Sequence, residues 1–172
     1  MSNQGKVRIT VVNHNSVDIA RPAAAVWEDI LEMYVDGHKF SAQGHVVEPL
    51  QGDPAAYLGG YRMTLRGKDG TVLDDRACRI TERDDATLRL SLCAEYFIPA
   101  ELKLIVNASY QAIPTTSGSR YALDAYSMLD VSLPRDDSEP SVRQVAAQFQ
   151  SESAGYLADF LRSVKDRLES AA

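Results

Sequence analysis

The sequence predicts an α+β domain in which an antiparallel sheet of about seven strands is covered by one long C-terminal helix. Two observations carry this. From Ser141 to Leu168, the residues Val142, Val145, Phe149, Tyr156, Phe160, Val164 and Leu168 recur at three- and four-residue steps, with Ala146, Leu157 and Leu161 beside them. One face of a helix of roughly 28 residues and about 40 Å is therefore apolar. The other face carries Arg143, Gln144, Gln150, Glu152, Asp159, Lys165 and Asp166. Such a rod needs a broad partner, and the preceding ~120 residues supply segment after segment of alternating pattern. Gly155 and Ser153 mark a place on the helix where packing is relaxed or the axis kinks.

Composition narrows the function classes. The chain has 172 residues, enough for one domain and one core over residues 7–168, with a net charge of −6 and a pI near 5.0. No Lys/Arg cluster rises above that acidic background, which argues against nucleic acid as a partner. Residues 1–20 lack the basic start and apolar segment of a signal peptide, and no run approaches about 18 apolar residues, so a soluble, cytoplasmic protein with no membrane span is expected. Cys78 and Cys93 form neither a disulfide framework nor a zinc spacing, and His14, His38 and His45 share no metal-ligand spacing. No metal and no cofactor are expected; GxSxG, GxGxxG and GxxxxGK[ST] motifs are missing.

The elements follow in order. Met1 to Gly5 reads as loose, then Val7, Ile9 and Val11 alternate with polar or small neighbours before Val17 and Ile19 resume the same parity. Unbroken alternation would bury Asn13 and Asn15, so a bulge near His14 is expected. Arg21-Pro22 ends the strand, and proline in the first turn opens a short helix with Val26, Trp27, Ile30 and Leu31 inward, closed by Gly37. Gly37 to Gly44 fits a single helical turn or a loop. Strands are then expected at His45–Leu50, Leu58–Arg66, Thr71–Glu82, Thr87–Tyr96, Leu102–Ile113 and Arg120–Val131, with Leu133 to Pro140 linking to the final helix. Short connections favour a meander.

Hairpins fix which faces agree, because cross-strand neighbours share a side. Closing the Gly67–Gly70 turn with Arg66 opposite Thr71 sets Met63 by Asp74 and Tyr61 by Arg76. Arg83 opposite Thr87 sets Ile80 by Leu90 and Cys78 by Leu92; Leu92 then falls beside Val106, and Tyr110 beside Leu123. One face comes out apolar but also holds Tyr61, Asp74, Arg76, Tyr96, Tyr110 and Ser127, while Arg62, Arg66, Arg79, Arg89, Lys103, Gln111 and Asp124 fall outside. Buried charges are costly unless paired or wetted, which singles out Asp74 and Arg76. A bulge in their strand would instead turn both to water.

The stretch Ser-Val-Asp-Ile-Ala-Arg-Pro-Ala-Ala-Ala-Val-Trp-Glu-Asp-Ile-Leu at positions 16–31, followed by the meander and the long amphipathic helix, resembles the START-like, or SRPBCC, superfamily. That group includes birch-pollen-allergen-like proteins, polyketide cyclases and aromatases, and lipid-transfer domains. The resemblance covers roughly Val7 to Leu168 and implies a helix-grip fold, with a curved antiparallel sheet wrapped around the C-terminal helix and a cavity between them. It carries over no catalytic residue, because the superfamily has no universal ones.

With that cavity implied, Tyr61, Met63, Asp74, Arg76, Tyr96, Tyr110, Phe149, Ser153 and Tyr156 become its candidate ligand-binding residues, and Asp74, Arg76 and Tyr96 its candidate catalytic ones. A carboxylate and a guanidinium there orient a polar ligand or polarise a carbonyl, with tyrosine hydroxyls as donors or acids. Tyr110, Tyr121 and Tyr156 read first as core aromatics, each with one satisfied hydroxyl; as cavity lining they would suit a flat aromatic or polycyclic ligand. His38 reads either as a base at the cavity mouth or as an exposed loop residue. The apolar Phe97-Ile98-Pro99-Ala100 connection is a cap on the last helix or a lip for ligand entry. Three functions follow: binding of a hydrophobic or aromatic small molecule, including a lipid; a cofactor-independent cyclase, aromatase or dehydratase; or an interaction domain with a filled core. The ligand, the reaction and the oligomeric state stay open at this point.

Overall fold

A computed structural model gives the fold and describes residues 4–99, 103–134 and 141–170. Strand β1 (Gln4–Ile19) is followed by helices α1 (Ala23–Tyr34) and α2 (His38–Ala42). Strands β2 (Val46–Pro49), β3 (Gly60–Arg66), β4 (Val72–Asp84), β5 (Arg89–Tyr96), β6 (Ile105–Thr115) and β7 (Gly118–Pro134) follow, and helix α3 (Val142–Ser170) closes the chain. The strands form one antiparallel seven-stranded sheet in the order β1-β7-β6-β5-β4-β3-β2. This is the helix-grip architecture. Most of the expected link up to Pro140, residues 1–3 and the Ala100–Leu102 stretch lie outside the described residues, whereas Gln4 and Gly5, expected to be loose, already pair with β7.

The first strand runs without a bulge, contrary to the pattern-based expectation. Every residue from Gln4 to Ile19 has a partner in β7 in one register. Asn13 is indeed buried, at 5% exposed, but its amide donates to the Ser153 hydroxyl of α3 at 2.8 Å, and Ser153 donates on to the Phe149 carbonyl at 2.7 Å. A partner from 140 residues away meets the hydrogen-bond demand that a bulge would have relieved. Asn15 Oδ1 remains buried without one.

Cross-strand register differs from the turn-based expectation by two residues in three pairs and matches it in the fourth. Arg66 faces Val72, and Leu65 faces Asp74 across a bulge that leaves Leu73 exposed. Met63 therefore faces Arg76, and Tyr61 faces Cys78. A second bulge between Ile80 and Glu82 sets Ile80 by Leu92 and Arg76 by Tyr96, while β5 and β6 pair Leu92 with Ala108. Tyr110 faces Leu123 as expected. A slip of two leaves every side chain on its original face, so the inner set is unchanged.

Pro22 stands just before α1 as its cap residue rather than inside the first turn. Ala23, Val26, Trp27, Ile30 and Met33 are buried against the sheet, with Leu31 half-buried beside them. Gly37 takes a left-handed φ of 66°, and a Cβ there would press on Val47 at 2.8 Å, which explains glycine at the end of α1.

Helix α3 runs along edge strand β1 and hydrogen-bonds to its open backbone. Lys165 donates to the Asp18 carbonyl at 2.6 Å, Gln150 to the Val12 carbonyl at 3.4 Å, and Glu169 accepts from the Ala20 amide at 2.8 Å. Near the helix end, Asp29 of α1 holds Arg167, with one contact at 3.0 Å, and also Lys39 of α2. The apolar stripe is buried unevenly. Leu161 and Val164 are 2% exposed in the larger core, and Val145, Ala146 and Phe149 cover a second cluster of Ile9, Val11, Leu129 and Val131. Val142 and Tyr156 are exposed instead. Between the two clusters the helix stays tied to β1 through Ser153 and Gln150, while its Tyr156–Phe160 segment lies over a gap above β6 and β7.

Candidate functional site

That gap is a cavity of about 110 Å³ between α3 and the sheet. Its floor is Val106, Ala108, Tyr110, Leu123 and Ala125 of β6 and β7, and its roof is Tyr156, Leu157 and Phe160 of α3. Tyr34 and Phe40 close one side, and Arg76 and Tyr96 form a polar wall. Tyr156, 71% exposed, stands at the mouth, and beside it a Cβ added to Gly155 would meet nothing within 4 Å.

The aromatic wall is rigid. Tyr34 and Tyr110 stack with ring centroids 4.1 Å apart, and Tyr121 meets Tyr110 edge-on at 6.5 Å. Burial pushes the phenols of Tyr34, Tyr110 and Tyr121 well above their ordinary range, so these rings stay neutral. Burial likewise raises Tyr96, a shift that Arg76 only partly offsets.

The polar wall is a chain of contacts on neighbouring strands. His45 bridges the Phe40 carbonyl at 3.2 Å and the Asp74 carboxylate at 3.3 Å. Asp74 holds the Arg76 guanidinium at 3.0 Å, and Arg76 donates to the Tyr96 hydroxyl at 2.7 Å. The guanidinium also lies over the Phe40 and Tyr96 rings, at 5.4 and 5.1 Å. Burial works against the Arg76 charge, but the Tyr96 oxygen and the Asp74 carboxylate outweigh it and hold its proton more tightly than usual. Arg76 Nε is buried with no partner. Groups of this kind can orient an oxygen-bearing molecule or polarise a carbonyl.

Of the residues that sequence reasoning placed here, Arg76, Tyr96, Tyr110 and Tyr156 line the cavity, and Asp74 stands behind Arg76. The other four lie elsewhere. Met63 is packed in the core, and Tyr61 is buried beside Cys78 and Phe40 with its hydroxyl unpartnered. Phe149 belongs to the smaller core cluster, and Ser153 serves Asn13. Tyr34, Phe40 and His45 were missed. His45 is placed by register that the turns did not reveal: one step beyond the Val46–Thr64 pair it falls by Leu65, whose partner across the bulge is Asp74. Tyr34 reaches the site from α1, which no strand register places.

Among the described residues, further clefts lie outside this cavity. One of about 420 Å³ between α2 and β2–β3 has His38, which is exposed, on its rim. Another, about 330 Å³, is bordered by Phe97, Lys103 and Arg8 and shares Tyr96 with the cavity wall. Phe97 lies under the Arg62 guanidinium at 4.8 Å. Among the described residues there is no cluster of metal-ligating side chains and no helix long and apolar enough to cross a membrane.

No family model matches the sequence, and no curated protein matches it. Solved structures do match in three dimensions. The allergen Ara h 8.0201 aligns with a TM-score of 0.58 at 14% identity over 94% of this chain and 99% of that one. Norcoclaurine synthase from Thalictrum flavum, a point mutant in complex with a transition-state analogue, aligns with a TM-score of 0.58 at 10% identity, covering 96% and 98%. The Zhui aromatase/cyclase from a Streptomyces species gives 0.54 at 17% identity, covering 95% and 94%. The likeness is one of fold: an antiparallel sheet gripping a long C-terminal helix.

Proposed function

We propose that this chain binds a small aromatic molecule in the cavity between the sheet and α3. The observation that carries the reading is a gap walled by stacked tyrosines on one side and by the 2.7 Å Arg76–Tyr96 bond on the other. Filled cores do not keep a guanidinium facing an unfilled volume, which speaks against the interaction-domain alternative. Native mass spectrometry of freshly purified protein tests the proposal, with a co-purified small molecule as the expected result. Should no adduct be found and no one-ring aromatic compound shift the amide spectrum of the stripped protein, the reading is overturned.

An enzymatic reading has one observation in its favour: Asp74, Arg76 and Tyr96, three groups able to polarise a carbonyl and stabilise an enolate, are joined at the wall. Two neighbours of the same fold, norcoclaurine synthase and the aromatase/cyclase, are enzymes by name. A volume of about 110 Å³ speaks against a polycyclic substrate, since pockets for drug-sized ligands span about 300 to 1,000 Å³. Lipid carriage meets the same objection. A cytoplasmic setting stays part of this proposal.

A further inference from the structure

We infer that helix α2 is a lid on the cavity, hinged at Gly37 and Gly44, which swings into the cleft behind it to admit a ligand ring. The inference rests on the binding function proposed above and says how that site is filled.

Size makes a moving wall necessary. The cavity of about 110 Å³ is smaller than the engineered cavity of about 150 Å³ that holds benzene, so some part of the wall must give before even one ring enters. The floor cannot, because its residues lie in the paired strands β6 and β7, and the stacked Tyr34 and Tyr110 rings are buried. Helix α3 is held by Asn13 and by Asp29. Helix α2 differs, since none of its residues is buried.

It also has room to move. His38 and Ser41, three apart and so on one face, border the cleft of about 420 Å³, whereas Phe40 lines the cavity. The helix therefore stands between two volumes. Its flanking glycines both have left-handed backbones, Gly37 at φ 66° and Gly44 at φ 91°, and supply the dihedral freedom that a hinge needs.

Few contacts hold the lid shut. Lys39 reaches Asp29 and, at 3.1 Å, Glu32 of α1, and the Phe40 carbonyl accepts from the His45 amide at 3.0 Å. The Phe40 ring meets Tyr34 edge-on at 5.9 Å and lies 5.4 Å from the Arg76 guanidinium. When α2 swings out, a ligand ring takes those two contacts in place of Phe40.

The test is amide relaxation dispersion on the full chain, with a toluene titration. In the free protein His38 to Gly44 are expected to exchange on the microsecond-to-millisecond timescale of lids, while Met33 and Met63 do not. Bound toluene should shift the Tyr110 and Ala125 amides and alter the α2 exchange. Ser41→Trp, which puts an indole on the cleft side of α2, should lose the exchange and slow toluene entry. Lys39→Met, which frees the lid from α1, should speed entry by up to about fivefold. Dispersion in the unaltered protein decides the matter even where neither variant folds. Toluene bound at Tyr110 and Ala125 without α2 exchange, or entering a folded Ser41→Trp protein at the same rate, overturns the lid and leaves the cavity reading standing, with entry past Tyr156. No amide shift with toluene overturns the lid, and the binding function with it if no molecule co-purifies.

Discussion

Arg76 and Tyr96 face each other across the β4–β5 pair, and the guanidinium donates to the phenol oxygen at 2.7 Å. The same guanidinium holds Asp74, two residues away on its own strand, at 3.0 Å. Both charges are four-fifths buried, so neither is satisfied by water alone. Arg76→Leu should strand the Asp74 carboxylate with only the long His45 contact and cost about 2 kcal/mol, a value lowered here for residual exposure. Asp74→Leu/Arg76→Leu should cost less than the single change, because it leaves no lone charge. Urea melts of both variants check this; equal costs would mean that the pair is not coupled.

Asp29 yields the prediction about pH. Burial would raise its carboxyl, but hydrogen bonds from Arg167 and Lys39 outweigh burial and hold it below the ordinary carboxylate range. A group whose folded pKa is depressed contributes stability that is fully present above its unfolded value, near 3.9, and is lost as pH falls through the lower folded value. Asp29→Asn should therefore cost about 2–3 kcal/mol at pH 7, part of which reflects two stranded cations. The gap to the unaltered protein should narrow below about pH 4. Denaturant melts at pH 7 and pH 3 measure it, and a gap that is unchanged or widens in acid contradicts the assignment.

Trp27 is 6% exposed where α1 meets the sheet, and its indole donates to Asp85 at 3.2 Å. Trp27→Ala should cost about 3–5 kcal/mol, the range of other large core truncations. Trp27→Phe keeps most of the volume and loses the hydrogen bond, so it should cost about 1–2 kcal/mol. Melts of the pair separate packing from the polar contact.

How much of this was legible in the sequence follows from what each signal depends on. Parity is local: Tyr61, Arg76, Tyr96 and Tyr110 alternate with outward charged or polar residues such as Arg62, Asp75, Glu95 and Gln111, and two turns misjudged by an even number of residues left them facing inward. Exact partners were not legible, because bulges at Leu65–Arg66 and Ile80–Glu82 have no sequence mark. Asn13 was misread because its partner, Ser153, comes from the far end of the chain. Tyr156 follows the helical period yet is exposed, since the period names a face and not the distance at which that face meets the sheet. The pairing of Asp29 with Arg167 is tertiary in the same way, and composition offers no trace of it.

Ala108 and Ala125 are register partners on β6 and β7 and form the floor of the cavity beneath Leu157 and Phe160. Their small side chains are the reason that a gap exists there, so enlarging one separates a binding site from a packing defect. If the gap is only a defect, Ala125→Leu should fill it, raise stability by about 0.5–2 kcal/mol as cavity filling commonly does, and change nothing else. If the gap is a binding site, the same substitution should also abolish binding of any aromatic probe, while Arg76, Tyr96 and the outer surface stay as they were. The two measurements are a urea melt and a probe titration on one protein. Because Ala125 is 3% exposed and points away from solvent, loss of binding in a variant at least as stable as the original cannot be blamed on unfolding. Retained binding in a well-folded Ala125→Leu protein would place the ligand elsewhere, and the cleft beside Phe97 and Lys103, which shares Tyr96, would be the next site to probe.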